Sequence, residues 1–193
     1  TIGTAKQKLN EFINAFSEIG YLVTYKVLYA SDYGVAQTRP RLIFICIRND
    51  VAKAVGITFL DVINVFPDAT HPVDKVSAKE CIGDVVTDPE EEKEFLEYTK
   101  RAFYKRFLDV FPKNPEKHVC AADDEYRHMN EKGSYFNLIR MSPNLPSPTL
   151  TQGGQQLSSA GVMHYEKDRK LTVPELRRLM SLPDDFVLTG NTS

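Results

Sequence analysis

The sequence contains little cysteine, and its apolar residues never form a long uninterrupted run. The three cysteines have no Cys-x-x-Cys spacing, which argues against a zinc site and a disulfide framework and indicates a reducing compartment. No apolar stretch approaches the roughly eighteen residues of a membrane-spanning helix, and no charged-then-apolar signal peptide begins the chain. Because Thr1 is not an initiator methionine, we expect the chain to be processed or excised from a longer one.

The chain also lacks a marked excess of either charge. With 24 basic and 26 acidic residues, its formal net charge of −2 does not by itself predict a nucleic-acid-binding protein. The distribution is uneven, however. Six acids and one lysine between residues 88 and 97 leave a local net charge of −5, whereas six basic and three acidic residues in 1–48 leave +3. With 193 residues, 42% of them hydrophobic, the chain is long enough to bury a sizeable core.

Residues 33–41 carry a glycine, a proline and three long polar side chains, and they lead directly into the apolar run 42–47. This pattern predicts an irregular loop followed by a fully buried strand. Because alternate residues of an extended chain point the same way, Arg39 and Arg41 are expected to share one face. Two guanidiniums on one face suit phosphates or the carbonyl oxygen of a base. The alternative is a surface loop whose arginines form salt bridges.

Periodicity predicts the elements around this loop. Apolar residues at helical spacing predict a helix over 5–19, and Gly20 stands where a helix ends. Strands are predicted over 21–29 and 42–48, which together with the helix indicate part of an α/β layer with a buried sheet. Residues 51–75 are predicted to be irregular.

Further along, Asp88 and the following proline predict the start of a helix that ends at Pro112. Its acidic first turns are therefore either a solvated helix face or a surface for a protein partner. The segment 113–144 has poor periodicity, as expected of a small, loop-rich domain. Near the end, Thr172 and Glu175 form a capping-box pattern, which predicts a short helix. Its predicted buried stripe is Leu176, Leu179 and Met180.

A second irregular stretch, 146–156, combines two prolines and two glycines with clustered hydroxyl and amide side chains. Glycines allow close backbone approach, and the polar groups suit phosphates or base edges. Taken alone, such a stretch is more often a linker than a segment that reads nucleic acid.

Together these segments resemble the DNA cytosine-5 methyltransferases. The resemblance lies in Tyr-Gly-Val-x-Gln-x-Arg-x-Arg at 33–41, Pro-Thr-Leu-Thr at 148–151, and Arg-x-Leu-Thr-x-x-Glu at 169–175, followed by Leu-Pro-Asp-x-Phe. The three motifs stand in the family's order and span essentially the whole chain. Two departures are Ala36, where the family usually has proline, and Ser181-Leu182, where it usually has Gly-Phe.

The resemblance implies an α/β fragment of a class I methyltransferase catalytic layer plus a small, irregular, mainly β target recognition domain. The implied divisions are 1–75 for the partial catalytic layer, 76–165 for the recognition domain, and 166–193 for a helix that returns to the catalytic domain.

The implied activity of the intact enzyme is methyl transfer from S-adenosylmethionine to C5 of a cytosine flipped out of duplex DNA. Arg41 and Arg39 would hold the flipped cytosine and its flanking phosphates, and Gln37 would help fix the loop. The residues expected to contact DNA are Arg140, Lys132, Gly133, Ser134, Thr149, Thr151, Gln152, Gly153, Gly154 and Gln155.

Other family features are missing from the sequence. The family's nucleophile is a cysteine after a proline, its assisting glutamate lies in Glu-Asn-Val, and its cofactor loop is glycine-rich; none of these is present. We therefore expect the chain alone to bind no S-adenosylmethionine and to be inactive. Its expected partners are double-stranded DNA and an N-terminal catalytic half, in the same chain or a separate subunit, in a prokaryotic cytoplasm. Two alternatives are a non-catalytic recognition subunit of a split enzyme and a degenerate relative kept for protein contacts.

Overall fold

The computed structural model describes residues 2–99, 106–129, 138–151 and 161–187. The chain forms two compact units. The first, called here the hairpin unit, comprises Thr1–Tyr29 and Pro40–Ala69. The second, called the larger unit, comprises Ala30–Arg39 and Thr70–Ser193. The predicted divisions after residues 75 and 165 stay predictions.

The hairpin unit is built on an antiparallel strand pair. Tyr21 lies opposite Arg48, and Tyr29 lies opposite Pro40. The ring of Phe12 lies 4.4 Å from that of Phe44, between centroids, so aromatic packing joins the first helix to the sheet. The elements of this unit are α1 (Ile2–Glu18), β1 (Tyr21–Tyr29), β2 (Pro40–Arg48), α2 (Asn49–Val55) and α3 (Phe59–Ile63).

The predicted helix and both strands of this unit are present, but two details of the prediction were wrong. The run 42–47 is not fully buried, since Leu42 is 45% exposed and Ile43 is 39% exposed. The sheet has only two strands in the described part of the chain, and a fully buried strand needs both faces of its sheet covered. Residues 51–63 are also not irregular. Asp61 accepts a hydrogen bond from the Thr58 N–H at 2.7 Å, which caps α3. The helix was not predicted because it is too short to show helical periodicity.

The larger unit combines short helices with a three-stranded sheet of order β3-β4-β5. β3 runs antiparallel to β4, and β5 runs parallel to it. Its strands have two or three residues, so helices and irregular segments, rather than strands, make up most of what is described of the predicted recognition domain. The elements are α4 (Ala78–Ile82), α5 (Pro89–Thr99), β3 (Val119–Cys120), α6 (Asp124–Arg127), β4 (Leu138–Arg140), β5 (Gly161–Met163) and α7 (Val173–Leu179).

Two clusters of buried apolar residues form the core of the larger unit. One contains Met141, Leu150 and Leu179, and the other is centred on Phe107 and Phe111. α7 buries Leu179 completely, whereas Met180 is 50% exposed. The predicted stripe was therefore wrong at Met180, because the helix ends at the preceding residue.

No helix in the described ranges is long and apolar enough to cross a membrane.

Candidate nucleic-acid interface

The arginine motif lies on a loop that closes on itself. Residues Ala30–Tyr33 form a single 3-10 turn, and Gly34 follows with φ of +84°, a conformation that favours glycine. The Val35 N–H donates to the Ala30 carbonyl at 3.3 Å, and the Ala30 N–H donates to the Arg39 carbonyl at 3.2 Å. These bonds bring the two ends of the loop together, so that 30–39 form a closed turn.

The second polar stretch lies directly against this loop. The Thr38 N–H donates to the Ser147 carbonyl at 2.7 Å, and the Ser147 N–H donates to the Ala36 carbonyl at 2.9 Å. The Thr149 hydroxyl donates to the Thr38 carbonyl at 2.6 Å, across 111 residues of sequence. The structure thus joins two segments that the sequence marked separately.

The side chain of Gln37 connects three segments and is only 2% exposed. Its amide oxygen accepts the Leu150 N–H at 3.1 Å and a weaker contact from Arg39 Nη1 at 3.5 Å. Its amide nitrogen donates to the Leu179 carbonyl at the end of α7, at 3.3 Å. A buried amide with both ends bonded has one orientation, so Gln37 sets the geometry of the loop and of Leu150.

Arg39 and Arg41 make hydrogen bonds to carbonyl oxygens. The half-buried Arg39 donates from Nη1 to Leu150 O at 3.2 Å, and the exposed Arg41 donates from Nη1 to Pro40 O at 2.7 Å. Within the described ranges, neither arginine has a carboxylate within ion-pair distance. By contrast, Arg48, at the other end of β2, pairs with Asp50 at 2.6 Å. The uncompensated charges of Arg39 and Arg41 are suited to an anionic ligand. Their predicted shared face stays a prediction.

The predicted DNA contact of Arg140 does not fit its position. Its side chain is fully buried. Nη2 binds the Asp168 carboxylate at 2.7 Å, and Nη1 donates to the carbonyls of His164 and Lys167, both at 3.2 Å. The reason is that Arg140 ends β4, the central strand of the sheet, where the guanidinium bonds the turn that follows β5. Arg140 therefore holds the turn 164–168, and its predicted DNA contact stays a prediction.

The remaining residues predicted to contact DNA divide into two groups. Thr149 is half-buried and bonded to the arginine loop, and Thr151 lies exposed just beyond it. The others lie outside the described residues: Lys132, Gly133, Ser134, Gln152, Gly153, Gly154 and Gln155.

Sequence reasoning missed a buried ionic cluster behind the loop. Arg169 is fully buried and binds both carboxylate oxygens of Glu175, each at 2.8 Å, and it also donates from Nε to Glu92 at 3.2 Å. Glu175 in turn accepts the Thr172 N–H at 2.8 Å, as the capping-box pattern predicted. The cluster anchors α7, and the carbonyl of Leu179, the last residue of α7, accepts the hydrogen bond from the Gln37 amide. The spacing Arg-x-Leu-Thr-x-x-Glu contains both Arg169 and Glu175, but from the sequence it predicted only the helix cap and not the ion pair between them.

Two histidines also support the site, and no sequence pattern indicated either. The imidazole of His118 accepts the Ser142 N–H at Nδ1, at 2.9 Å, just before the Ser147–Leu150 segment. Burial lowers the pKa of His118, which favours the neutral form that can accept this bond. The second, His71, packs against Gly34.

Comparison with known proteins identifies the family. Residues 3–193 match the family model for C-5 cytosine-specific DNA methylases, so the chain belongs to the C-5 cytosine-specific DNA methylase family. It is 33% identical to the type II methyltransferase M1.HphI of Haemophilus parahaemolyticus, over 93% of this chain and 44% of the relative. It is 28% identical to M.SacI of Streptomyces achromogenes, over 98% of this chain and 50% of the relative. It is 30% identical to M.NmeDI of Neisseria meningitidis serogroup C, over 97% of this chain and 44% of the relative. The chain thus spans about half the length of these curated relatives.

Proposed function

We propose that this chain is the part of a DNA cytosine-5 methyltransferase that holds a flipped cytosine and recognises the target DNA sequence. The observation that carries the proposal is the joining of the two polar loops beside Arg39; neither Arg39 nor Arg41, which lies in β2 of the hairpin unit, has a described carboxylate partner. Such guanidiniums attract phosphates and donate to base carbonyls.

The proposed roles follow from the contacts of each residue. Arg41, exposed at the start of β2, binds the flipped cytosine, and Arg39 binds it or a flanking phosphate. Gln37 touches no ligand in this proposal, because it is buried; it orients Arg39 and Leu150. Thr149 and Thr151, together with residues 132–134 and 152–155, are proposed to read bases in the major groove. In this proposal the recognition domain is 76–165, between the partial catalytic layer 1–75 and the returning segment 166–193.

The methyl donor of the intact enzyme is proposed to be S-adenosylmethionine, held outside this chain. Gly34, the glycine that follows β1, does not present an open backbone for a ligand, because a Cβ there would lie 3.0 Å from the ring of His71. The thiols present are also poor candidates for the nucleophile, since burial raises the pKa of Cys81 and of Cys120 and so disfavours the thiolate. We accordingly expect no turnover from the chain by itself, and detectable methylation by it would refute this point.

The test compares two exposed arginines at opposite ends of β2 in the intact enzyme. Methyl transfer from labelled S-adenosylmethionine to unmethylated plasmid DNA is measured for wild type, Arg41→Ala and Arg48→Ala. Arg41→Ala is expected to lower turnover about 100- to 1,000-fold, the usual effect of losing a donor at a developing charge. Its free energy of unfolding should change by no more than about 0.5 kcal/mol. Arg48→Ala, which breaks only an exposed pair with Asp50, should retain near-normal turnover.

A salt titration of DNA binding adds a second readout. Arg39→Ala should reduce the slope of log K against log salt by about 1 if Arg39 binds a flanking phosphate. Near-normal methylation by Arg41→Ala would disprove its role. Failure of the wild-type enzyme to methylate any duplex would instead disprove the proposed activity.

A further inference from the structure

A short segment at Thr70–Lys75 contacts the start of the arginine loop. The His71 N–H donates to the Asp32 carbonyl at 2.8 Å. The Lys75 ammonium pairs with the Asp32 carboxylate at 2.7 Å, and both side chains are partly buried. The 3-10 turn at Ala30–Tyr33 is therefore tied to this segment by a main-chain bond and by an ion pair.

The imidazole of His71 lies against the Cα atom of Gly34. A Cβ built on Gly34 would lie 3.0 Å from Cε1 and 3.2 Å from Nδ1 of that ring, closer than ordinary van der Waals contact. The Thr70 hydroxyl lies 2.8 Å from His71 Nδ1, which fixes the ring orientation. Glycine is therefore required at 34 twice over: its φ is +84°, and the ring occupies the space of a side chain.

The turn at Gly34 determines how the next five residues leave the sheet. From Gly34 the chain passes through Val35 and Ala36 to Gln37, whose amide positions Arg39 and Leu150. On its far side the loop is held by the Thr38–Ser147 and Thr149–Thr38 hydrogen bonds. A change in the Gly34 turn would shift these bonded groups together, because each bond tolerates only small displacements.

We infer that His71 is a positioning residue of this site: its ring sets the Gly34 turn and so holds Gln37 and Arg39 in place before DNA binds. His71 is not itself expected to touch DNA or cofactor. Preorganised donors stabilise charge without a reorganisation cost, so loosening the loop should slow the reaction more than it weakens cofactor binding. The part of this inference that concerns DNA rests on the proposed function; the part that concerns the loop does not.

The experiment uses three variants of the intact protein. His71→Ala removes the ring, and His71→Asn keeps a polar group that can bond the Thr70 hydroxyl. Val73→Ala is the matched control, because Val73 is in the same segment and is 82% exposed. The first readout is hydrogen exchange of peptides that contain Thr38 and Leu150, compared with a peptide that contains β4. The second is the split between kcat and KM for S-adenosylmethionine in plasmid methylation.

We expect His71→Ala to raise exchange at Thr38 and Leu150 at least about tenfold while β4 stays protected. It should also lower kcat with little change in KM. His71→Asn should restore part of the protection from exchange and part of kcat. Val73→Ala should behave as wild type. Unchanged exchange at Thr38 and Leu150 would overturn the inference, because the ring would then not stabilise the loop. An equal rise of exchange in β4 would also overturn it, because it would indicate general destabilisation. If the wild type does not methylate DNA, the proposed function fails, whereas the exchange result still decides the role of His71.

Discussion

The arginines of this chain differ in what compensates their charge. Arg140 and Arg169 are fully buried, and each is bonded to a carboxylate. Arg39 and Arg41 are bonded to carbonyl oxygens only, in the described part of the chain. A buried guanidinium needs a carboxylate to offset its lost hydration, whereas an arginine that binds an anion must keep its charge available. This contrast, rather than the presence of arginine, distinguishes the buried, paired arginines from the two that we propose bind DNA.

Arg140 provides a direct test of that distinction. Arg140→Ala should lower the free energy of unfolding by about 3 kcal/mol, because two carbonyl groups and Asp168 lose their buried partner. Urea unfolding followed by circular dichroism measures the change. Arg127→Ala is the control: its side chain is 71% exposed, and its effect should stay within about 0.5 kcal/mol. If Arg140→Ala has normal stability and weakened DNA binding, Arg140 contacts DNA instead.

At the scale of elements, the acidic run of α5 acts partly within the chain. Glu91 accepts the N–H of Val173, the first residue of α7, at 2.8 Å. Glu92 binds Lys167 at 2.6 Å and Arg169 at 3.2 Å. Asp88 accepts the Glu90 N–H at 2.8 Å, which caps the helix start as predicted. Glu91 thus connects α5 to α7, and Glu92 connects α5 to the segment just before α7, while other acids of the same helix remain exposed.

Two groups of this connection have shifted pKa values. Burial lowers the pKa of His164 to about 4, and the nearby charges of Arg169 and Lys167 act in the same direction, against the opposing effect of Glu175. The hydrogen bond from Lys167, followed by that from Arg169, lowers the pKa of Glu92 to about 2. His164 is therefore neutral and Glu92 ionised in the folded protein near neutral pH.

Stability should consequently fall in two steps as the pH decreases. The contribution of His164 is complete above its ordinary pKa of 6.5 and is lost as the pH falls through about 4, because the unfolded chain takes up the proton first. The contribution of Glu92 is complete above 4.5 and is lost as the pH falls through about 2. Urea unfolding at pH 7, 5.5 and 4 measures the first step, which amounts to roughly 3 kcal/mol at most.

His164→Asn keeps an acceptor for the Glu166 and Lys167 N–H groups but does not titrate in this range. It should reduce the loss of stability between pH 6.5 and 4 and leave the contribution of His118, whose pKa burial also lowers. An unchanged profile in this variant would show that another group causes the decline.

At the scale of the whole molecule, buried apolar surface is unevenly distributed. Both core clusters belong to the larger unit. In the hairpin unit, Ala52 and Val62 are buried among the described apolar residues, whereas large side chains such as Ile19, Val55 and Leu60 are more than 60% exposed. Local stability follows buried apolar contact, so the hairpin unit should open more readily.

Hydrogen exchange of the purified chain tests this expectation. After correction for intrinsic rates, amides of β1 and β2 should exchange at least about tenfold faster than those of β4, which lies between two strands of the larger unit. A peptide from α1, which packs on β2 through Phe12, should follow the hairpin and not the larger unit. Equal protection of β2 and β4 would contradict the expectation.

Local elements were predictable because their causes are local. β1 was predicted with its observed bounds, and α1 and α7 were predicted from periodicity and from the Thr172–Glu175 cap. The helices α2 and α3, of seven and five residues, are too short for periodicity to identify them. The buried position of Arg140 was missed because its partners, Lys167 and Asp168, are 27 and 28 residues away in sequence.

The sequence alone thus determined the family, through three motifs in order, and the local structure that each motif adopts. Only the tertiary structure decided which polar residues are buried and bonded inside the protein. Gln37 meets Leu150 across 113 residues, and Arg169 meets Glu92 across 77. Residue types and spacing encode periodicity and caps, whereas burial and the pairing of charges depend on which distant segments the fold brings together.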